Sequence, residues 1–122
     1  MDAQVPLEIS RFNQELNAQR ELAYQQLSAV AKSGIVSVRN FFDDPTNIFT
    51  AHEMLGTVAP SCTTKFTVHY NLFGGSIVAL HTERHQYIFD QIDSLAVTGC
   101  FCLTELGYGN NAVQMETTAT YD

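Results

Sequence analysis

Basic residues are scarce in this sequence: 6 Lys and Arg stand against 13 Asp and Glu, for a net charge of −7. A chain so acidic lacks the basic footprint that holds nucleic acid and the polybasic patch that adheres to anionic membranes. Long apolar runs are missing as well. None approaches the roughly 18–20 residues needed to span a bilayer, which excludes membrane insertion. The opening MDAQVPLEIS has neither the basic n-region nor the apolar h-region of a secretory signal. No Asn-X-Ser/Thr sequon occurs. The expectation is an intracellular protein.

Cysteine is sparse and odd in number, at 3. Cys62 stands alone, while Cys100 and Cys102 lie two apart on a predicted strand and so share a face. Neighbours so placed rarely bridge in a regular strand, and all three cysteines read as small buried hydrophobes. No second Cys/His pair stands at zinc spacing, so no metal site is expected. Internal repeats and low-complexity segments are also absent. What is present is a hydrophobic fraction of 45% over 122 residues, enough for one domain with a real core, or for a piece of a larger protein.

The apolar residues Leu7, Ile9, Phe12, Leu16, Ala23, Leu27 and Val30 recur at near-helical spacing. They predict a long amphipathic helix from about 7 to 32, ended by Lys32, Ser33 and Gly34. The run IVSVRNFF is ambiguous. Asp44 suits an N-cap and Pro45 a first helical position, for a helix that carries Ile48, Phe49, Met54 and Leu55 to Gly56. Pro60 and Ser61 open another with Phe66, Val68, His69 and Tyr70, closed by Gly74 and Gly75. A short helix SIVAL precedes Thr82, the predicted N-cap of ERHQYIFDQI. After Asp93 and Ser94 the period changes from 3.6 to 2, and FCLT and METTATYD read as strands. The fold class is therefore mainly α, with strands only at the end. Two isolated strands are marginal in water, so residues 1–98 are expected to form a helical domain and 99–122 the truncated start of a β domain.

The stretch GCFCLTELGYGNN followed by METTATYD resembles the signature of the acyl-CoA dehydrogenase and acyl-CoA oxidase superfamily. HEMLG, KFTVHYNLFGG and TERHQYIFDQIDSL resemble the helices that precede it in acyl-CoA oxidases. The likeness covers roughly residues 40–122, and the ETTATYD ending and Asn111 favour the oxidase branch. It implies an N-terminal helical domain, a middle β domain and a C-terminal helical domain, with FAD and fatty acyl-CoA between them. It also implies α,β-dehydrogenation of the thioester in fatty acid β-oxidation. Electrons would pass to O₂ in an oxidase or to an electron-transfer flavoprotein in a dehydrogenase. A homo-oligomer is implied for the intact enzyme, with the peroxisome favoured and the mitochondrion as alternative.

The resemblance assigns cofactor contact to Phe101, Leu103 and Thr104, the last by a hydroxyl beside the flavin ring. It assigns substrate contact to Gly109 and to Asn110, which stands where the family usually has serine, and a close backbone turn to Gly107. His81 replaces a usual glycine. The family's catalytic glutamate lies downstream of residue 122, so no catalytic residue is expected here and the chain alone is expected to be inactive. A different reading is a non-catalytic helical module that works by association through an exposed sheet edge.

Several residues have plainer readings. Glu105 lies beside the site but is expected to be structural rather than a base. His81 and His85 stand four apart, which suits a metal pair, yet no third ligand follows and a solvated face is the expectation. His52, Glu53 and His69 are expected in or against the helical core. Phe49, Phe66, Tyr70 and Phe73 fit either plain core or the wall of an acyl-chain tunnel.

Overall fold

The computed structural model describes residues 13–122. The first predicted helix is present as α1, Leu16–Ser33; it does not extend back through residues 13–15, which form a turn and the Glu15 N-cap, and its expected part over 7–12 lies outside the described residues. The Glu15 carboxylate caps α1 by accepting the Ala18 N–H, and Gly34 ends it in the left-handed conformation at φ 67°. That is the stop that Lys32-Ser33-Gly34 predicts. α1 turns Ala23 and Leu27 inward.

The ambiguous run 35–42 resolves into an extended approach that buries Val36 and Val38, then the single turn α2, Asn40–Asp43. α3, Pro45–Val58, begins at the predicted proline. Its Asp44 carboxylate makes no capping bond, and the helix runs through Gly56 rather than stopping there. α4, Pro60–Phe66, opens as predicted but is not closed by Gly74-Gly75. It continues as a π-helix over Thr67–Gly74 and then as α5, Gly75–Leu80. The Gly75 N–H reaches the Tyr70 carbonyl five residues back. π turns are rare, and they cluster where function overrides regular packing.

The two glycines act in packing, not as a stop. Both keep helical φ/ψ. A Cβ on Gly74 would lie 2.6 Å from Val38 Cγ1, and one on Gly75 would lie 3.6 Å from the Phe41 ring. Omitting the side chain at Gly74 thus lets Val38 press onto the helix, while at Gly75 a Cβ would meet Phe41 in ordinary contact. Glycine costs helix stability of about 1 kcal/mol against alanine, and here the close approach offsets it.

Thr82 does start the helical unit that follows α5. Its N–H donates to His85 Nδ1 at 3.0 Å, and its hydroxyl contacts the same nitrogen at 3.1 Å. His85 therefore fills the place that Glu or Gln takes in a capping box. A 3₁₀ turn, Glu83–His85, leads into α6, Tyr87–Asp93.

The core is Leu27, Val36, Val38, Ile48, Cys62, Phe66, Tyr70, Val78, Phe89 and Ile92. Phe66 and Tyr70 are fully buried, with ring centroids 4.9 Å apart. Asp93 ties the two ends of this core together. Its Oδ1 accepts the Val38 N–H at 2.8 Å and its Oδ2 accepts the Ser37 hydroxyl at 2.5 Å. Arg39 bonds Asp90 at 2.9 Å and lies over the Phe89 ring. Asp93→Ala leaves the Val38 N–H without its charged acceptor and should lower stability by about 1.5–3 kcal/mol. Chemical denaturation measures this, and a loss under about 0.5 kcal/mol, typical of a neutral surface change, would contradict it.

The predicted strands are the main correction. Among the described residues no strand forms over FCLT or METTATYD, and one antiparallel bridge, Glu105 with Gly109, is the whole of the β-structure. A strand exists through ladder bonds to a neighbour, and none of the backbone groups of residues 98–104 bonds to a described residue. The pattern is extended without a sheet to join.

Candidate functional site

The stretch 99–111 is held to the helical body at its first residue. The Phe73 ring packs directly on Gly99, so closely that a Cβ there would fall 2.2 Å from the ring. Phe73 sits on the π segment and packs against the core, so the wide turn carries the anchor for the extended chain.

From that anchor to Thr104 the backbone N–H and C=O groups bond to no described residue. Phe101 is exposed, Leu103 half-buried and Thr104 exposed. The chain then folds back on itself. Glu105 N–H donates to Gly109 O at 2.9 Å, Gly109 N–H returns to Glu105 O at 2.8 Å, and Gly109 takes φ 58°. The left-handed conformation suits glycine and strains any residue with a Cβ. The turn brings together Thr104 and Asn110, whose hydroxyl and side-chain carbonyl are hydrogen-bonded. Phe101 and Leu103 lie upstream of the turn and are not drawn into it. Gly107 sits at its tip near Glu116.

Glu105 has the structural place expected of it. Its carboxylate accepts the Glu116 and Thr117 N–H groups, each at 2.7 Å, and the Thr117 hydroxyl at 2.5 Å. The Thr117 hydroxyl and these two amides stabilise the anion and hold the carboxyl below its ordinary range. A carboxylate so occupied clamps the 116–117 chain across the loop and is a poor proton acceptor. Sequence reasoning missed the clamp, since its partners lie 11 and 12 residues away.

The histidines have other work than metal binding. His81 Nδ1 donates to the Val78 carbonyl at 2.5 Å, which caps α5, and its ring meets Phe89 edge-on. His85 Nδ1 is taken by Thr82. Among the described residues no group of three or more His, Cys, Asp or Glu could hold a metal. His52 packs on Phe66 and bonds Thr67 and Asn71, while Glu53 is exposed. Phe66 and Tyr70 are plain core, whereas Phe49 is exposed on α3.

His69 is buried on the π segment, with Nε2–H donating to the Ile92 carbonyl at 2.9 Å. That bond fixes the tautomer, and Nδ1 is buried without a partner among the described residues. A cavity of about 390 Å³ lies against this residue, lined by Tyr24, Leu27, Lys65, His69, Thr98 and Gly99. It abuts the Gly99 anchor. Burial lowers the His69 pKa, with the Ile92 bond and Asp93 opposing. A folded pKa below the unfolded value means that the unfolded chain binds the extra proton. Stability should therefore be complete above about pH 6.5 and decline as pH falls through it. An NMR titration should find this ring neutral where exposed histidines are already charged, and a ring protonated alongside them would contradict the assignment.

Among the described residues no helix is long and apolar enough to cross a membrane. Cys62 is buried, as expected, and burial pushes its thiol up to about 11. Cys100 and Cys102 are exposed, contrary to expectation. Burial on a strand face needs a packed sheet, and no sheet forms there.

No family model matches the chain, and no solved structure does. Curated proteins do. Acyl-coenzyme A oxidase 2, peroxisomal, of Arabidopsis thaliana is 42% identical over 99% of this chain and 17% of its own length. Peroxisomal acyl-coenzyme A oxidase 3 of Homo sapiens is 31% identical over 88% of the chain and 15% of its length. Acyl-coenzyme A oxidase 1 of Yarrowia lipolytica is 41% identical over 57% of the chain and 11% of its length. The chain thus spans about one sixth of the length of the curated relatives it matches. With an identity of 42% sustained along nearly its whole length, it belongs to the acyl-CoA oxidase branch of the acyl-CoA oxidase and dehydrogenase superfamily.

Proposed function

We propose that the chain is the N-terminal part of an FAD-dependent acyl-CoA oxidase that introduces the α,β double bond into fatty acyl-CoA. Residues 1–98 would be its helical domain and 99–122 the start of its middle β domain. The observation that carries this reading is the stretch anchored at Gly99 on Phe73, whose backbone over 100–104 pairs with no described residue and which leaves Phe101 and Thr104 exposed.

The donor set fits one edge of a flavin. A row of N–H and C=O groups bonded to no described residue, an exposed aromatic face and a hydroxyl suit a flat ring with polar edges, as ordered sheet or ligand must satisfy them once covered. Phe101 and Leu103 would wall the ring, and the Thr104 hydroxyl would donate to it after leaving Asn110. FAD, when bound, supplies the hydride acceptor. Gly109 gives close approach to the thioester arm, and Asn110 offers a carboxamide to it. Thr104 and Asn110 being mutual partners here means that each is freed for its ligand only when the other is.

No described residue supplies the base for the α-proton. Glu105 is clamped and held ionised, so the base belongs to a downstream part of the enzyme and the chain alone is inactive. O₂ as acceptor follows the oxidase relatives, and peroxisomal location follows the names of two of them. A homo-oligomer is the proposed state of the intact enzyme. The test is O₂ uptake by the longer protein on addition of fatty acyl-CoA. Uptake matched by 2-enoyl-CoA formation supports the reading. Turnover only with an electron-transfer flavoprotein would move it to the dehydrogenase branch, and turnover with neither acceptor would end it.

A further inference from the structure

Cys100 and Cys102 flank Phe101 on the extended stretch, both exposed, with their sulfurs 3.7 Å apart. The objection to bridging such neighbours rests on a regular strand, and among the described residues no ladder bonds hold this segment in one. Its φ/ψ angles can therefore adjust to bring two sulfurs already in contact to bonding distance.

We propose that Cys100 and Cys102 form a peroxide-sensitive dithiol that closes reversibly to an intrachain disulfide across Phe101. The chemistry balances with hydrogen peroxide, or another hydroperoxide, as two-electron oxidant. The Cys100 sulfur, as thiolate, attacks one peroxide oxygen. The O–O bond breaks and the leaving hydroxide takes a proton to become water, which leaves Cys100 as sulfenic acid. The Cys102 sulfur then attacks that sulfur. The S–S bond forms, the S–O bond breaks, and a second water departs with the thiol proton. Two thiols are oxidised and one peroxide is reduced.

The two sulfurs touch each other and either can donate, so the attacking and resolving roles are interchangeable between Cys100 and Cys102. Cys62 stays out of the reaction, being buried with its thiol pushed up to about 11. The thiol chemistry does not depend on the proposed oxidase reading.

The experiment treats the 122-residue chain with hydrogen peroxide, then counts alkylatable thiols after denaturation and maps the peptides by mass. The count should fall from 3 to 1, with two hydrogens lost, Cys100 linked to Cys102 in one peptide, and full recovery on dithiothreitol. Cys62→Ser should leave this response unchanged. Cys100→Ser and Cys102→Ser should each abolish the intrachain link with the helical circular dichroism intact. Oxygen addition at single cysteines, disulfide-linked dimers in place of the intrachain link, or three surviving thiols would each overturn the proposal. Since no flavin or acyl-CoA is used, failure here leaves the oxidase reading standing. Absence of oxidase turnover likewise leaves the dithiol standing.

Discussion

Phe66→Ala should cost about 3–5 kcal/mol of stability. The ring is fully buried where α4 passes into the π segment, between the His52 ring at 5.7 Å and the Tyr70 ring at 4.9 Å. Its removal opens a void that neither neighbour can fill. His52 is held by Thr67 and Asn71, at 3.0 and 3.2 Å. Tyr70 is held through its hydroxyl to the Asp93 carbonyl at 3.2 Å. A site that cannot collapse suffers the upper part of that range. For a domain of this size the loss corresponds to a drop in melting temperature of more than about 10 °C, close to the whole margin of a typical fold. A calorimetric shift of only a degree or two would show that Phe66 is not a keystone of the core.

Thr104→Val has the second large effect, on chemistry rather than on folding. In the longer enzyme the substitution keeps the β-branched shape and removes only the hydroxyl. If that hydroxyl donates to the flavin as charge develops on the ring, its loss should raise the barrier of the reductive step by about 2–4 kcal/mol. Melting should barely change, because the hydroxyl is exposed and its present partner, Asn110, can turn to water. The measurement is anaerobic stopped-flow reduction of the bound flavin by acyl-CoA. Unchanged reduction kinetics would remove Thr104 from the proposed site and leave the Thr104–Asn110 bond as a loop contact.

The helical boundaries were legible where one residue's own stereochemistry decides. Gly34 adopts the left-handed stop, Pro45 and Pro60 open helices, and Thr82 caps the helical unit that follows α5. Gly74 and Gly75 misled because the same residue type serves two purposes. A glycine that ends a helix and one that admits a neighbour look alike in sequence, and the deciding group at Gly74, Val38, lies more than thirty residues earlier. The π turn had no local signature at all. The alternation at FCLT was read as a strand, and none forms there among the described residues, because a strand also needs a partner and pattern alone does not provide one.

The proposed site divides in the same way. Its residues stand in one short stretch, so their proximity was legible: Thr104 meets Asn110 through the Glu105–Gly109 turn that the two glycines invite. The features that depend on distant contacts were not. The Glu105 clamp needs Glu116 and Thr117, the Gly99 anchor needs Phe73, and the lowered pKa of His69 needs its burial in the folded core. The exposed dithiol was hidden by the assumption of a packed sheet. Each miss traces to tertiary context, which overrides local propensity wherever a side chain meets a partner from another element.

The central claim is that residues 99–111 form one wall of a flavin and acyl-CoA site in a longer oxidase. Its most direct test is the visible spectrum of that longer protein, purified and then exposed anaerobically to fatty acyl-CoA. The account predicts a flavin absorbance that bleaches on mixing and returns when air is admitted. A protein that stays colourless after incubation with FAD, or a bound flavin that acyl-CoA leaves oxidised, would contradict it.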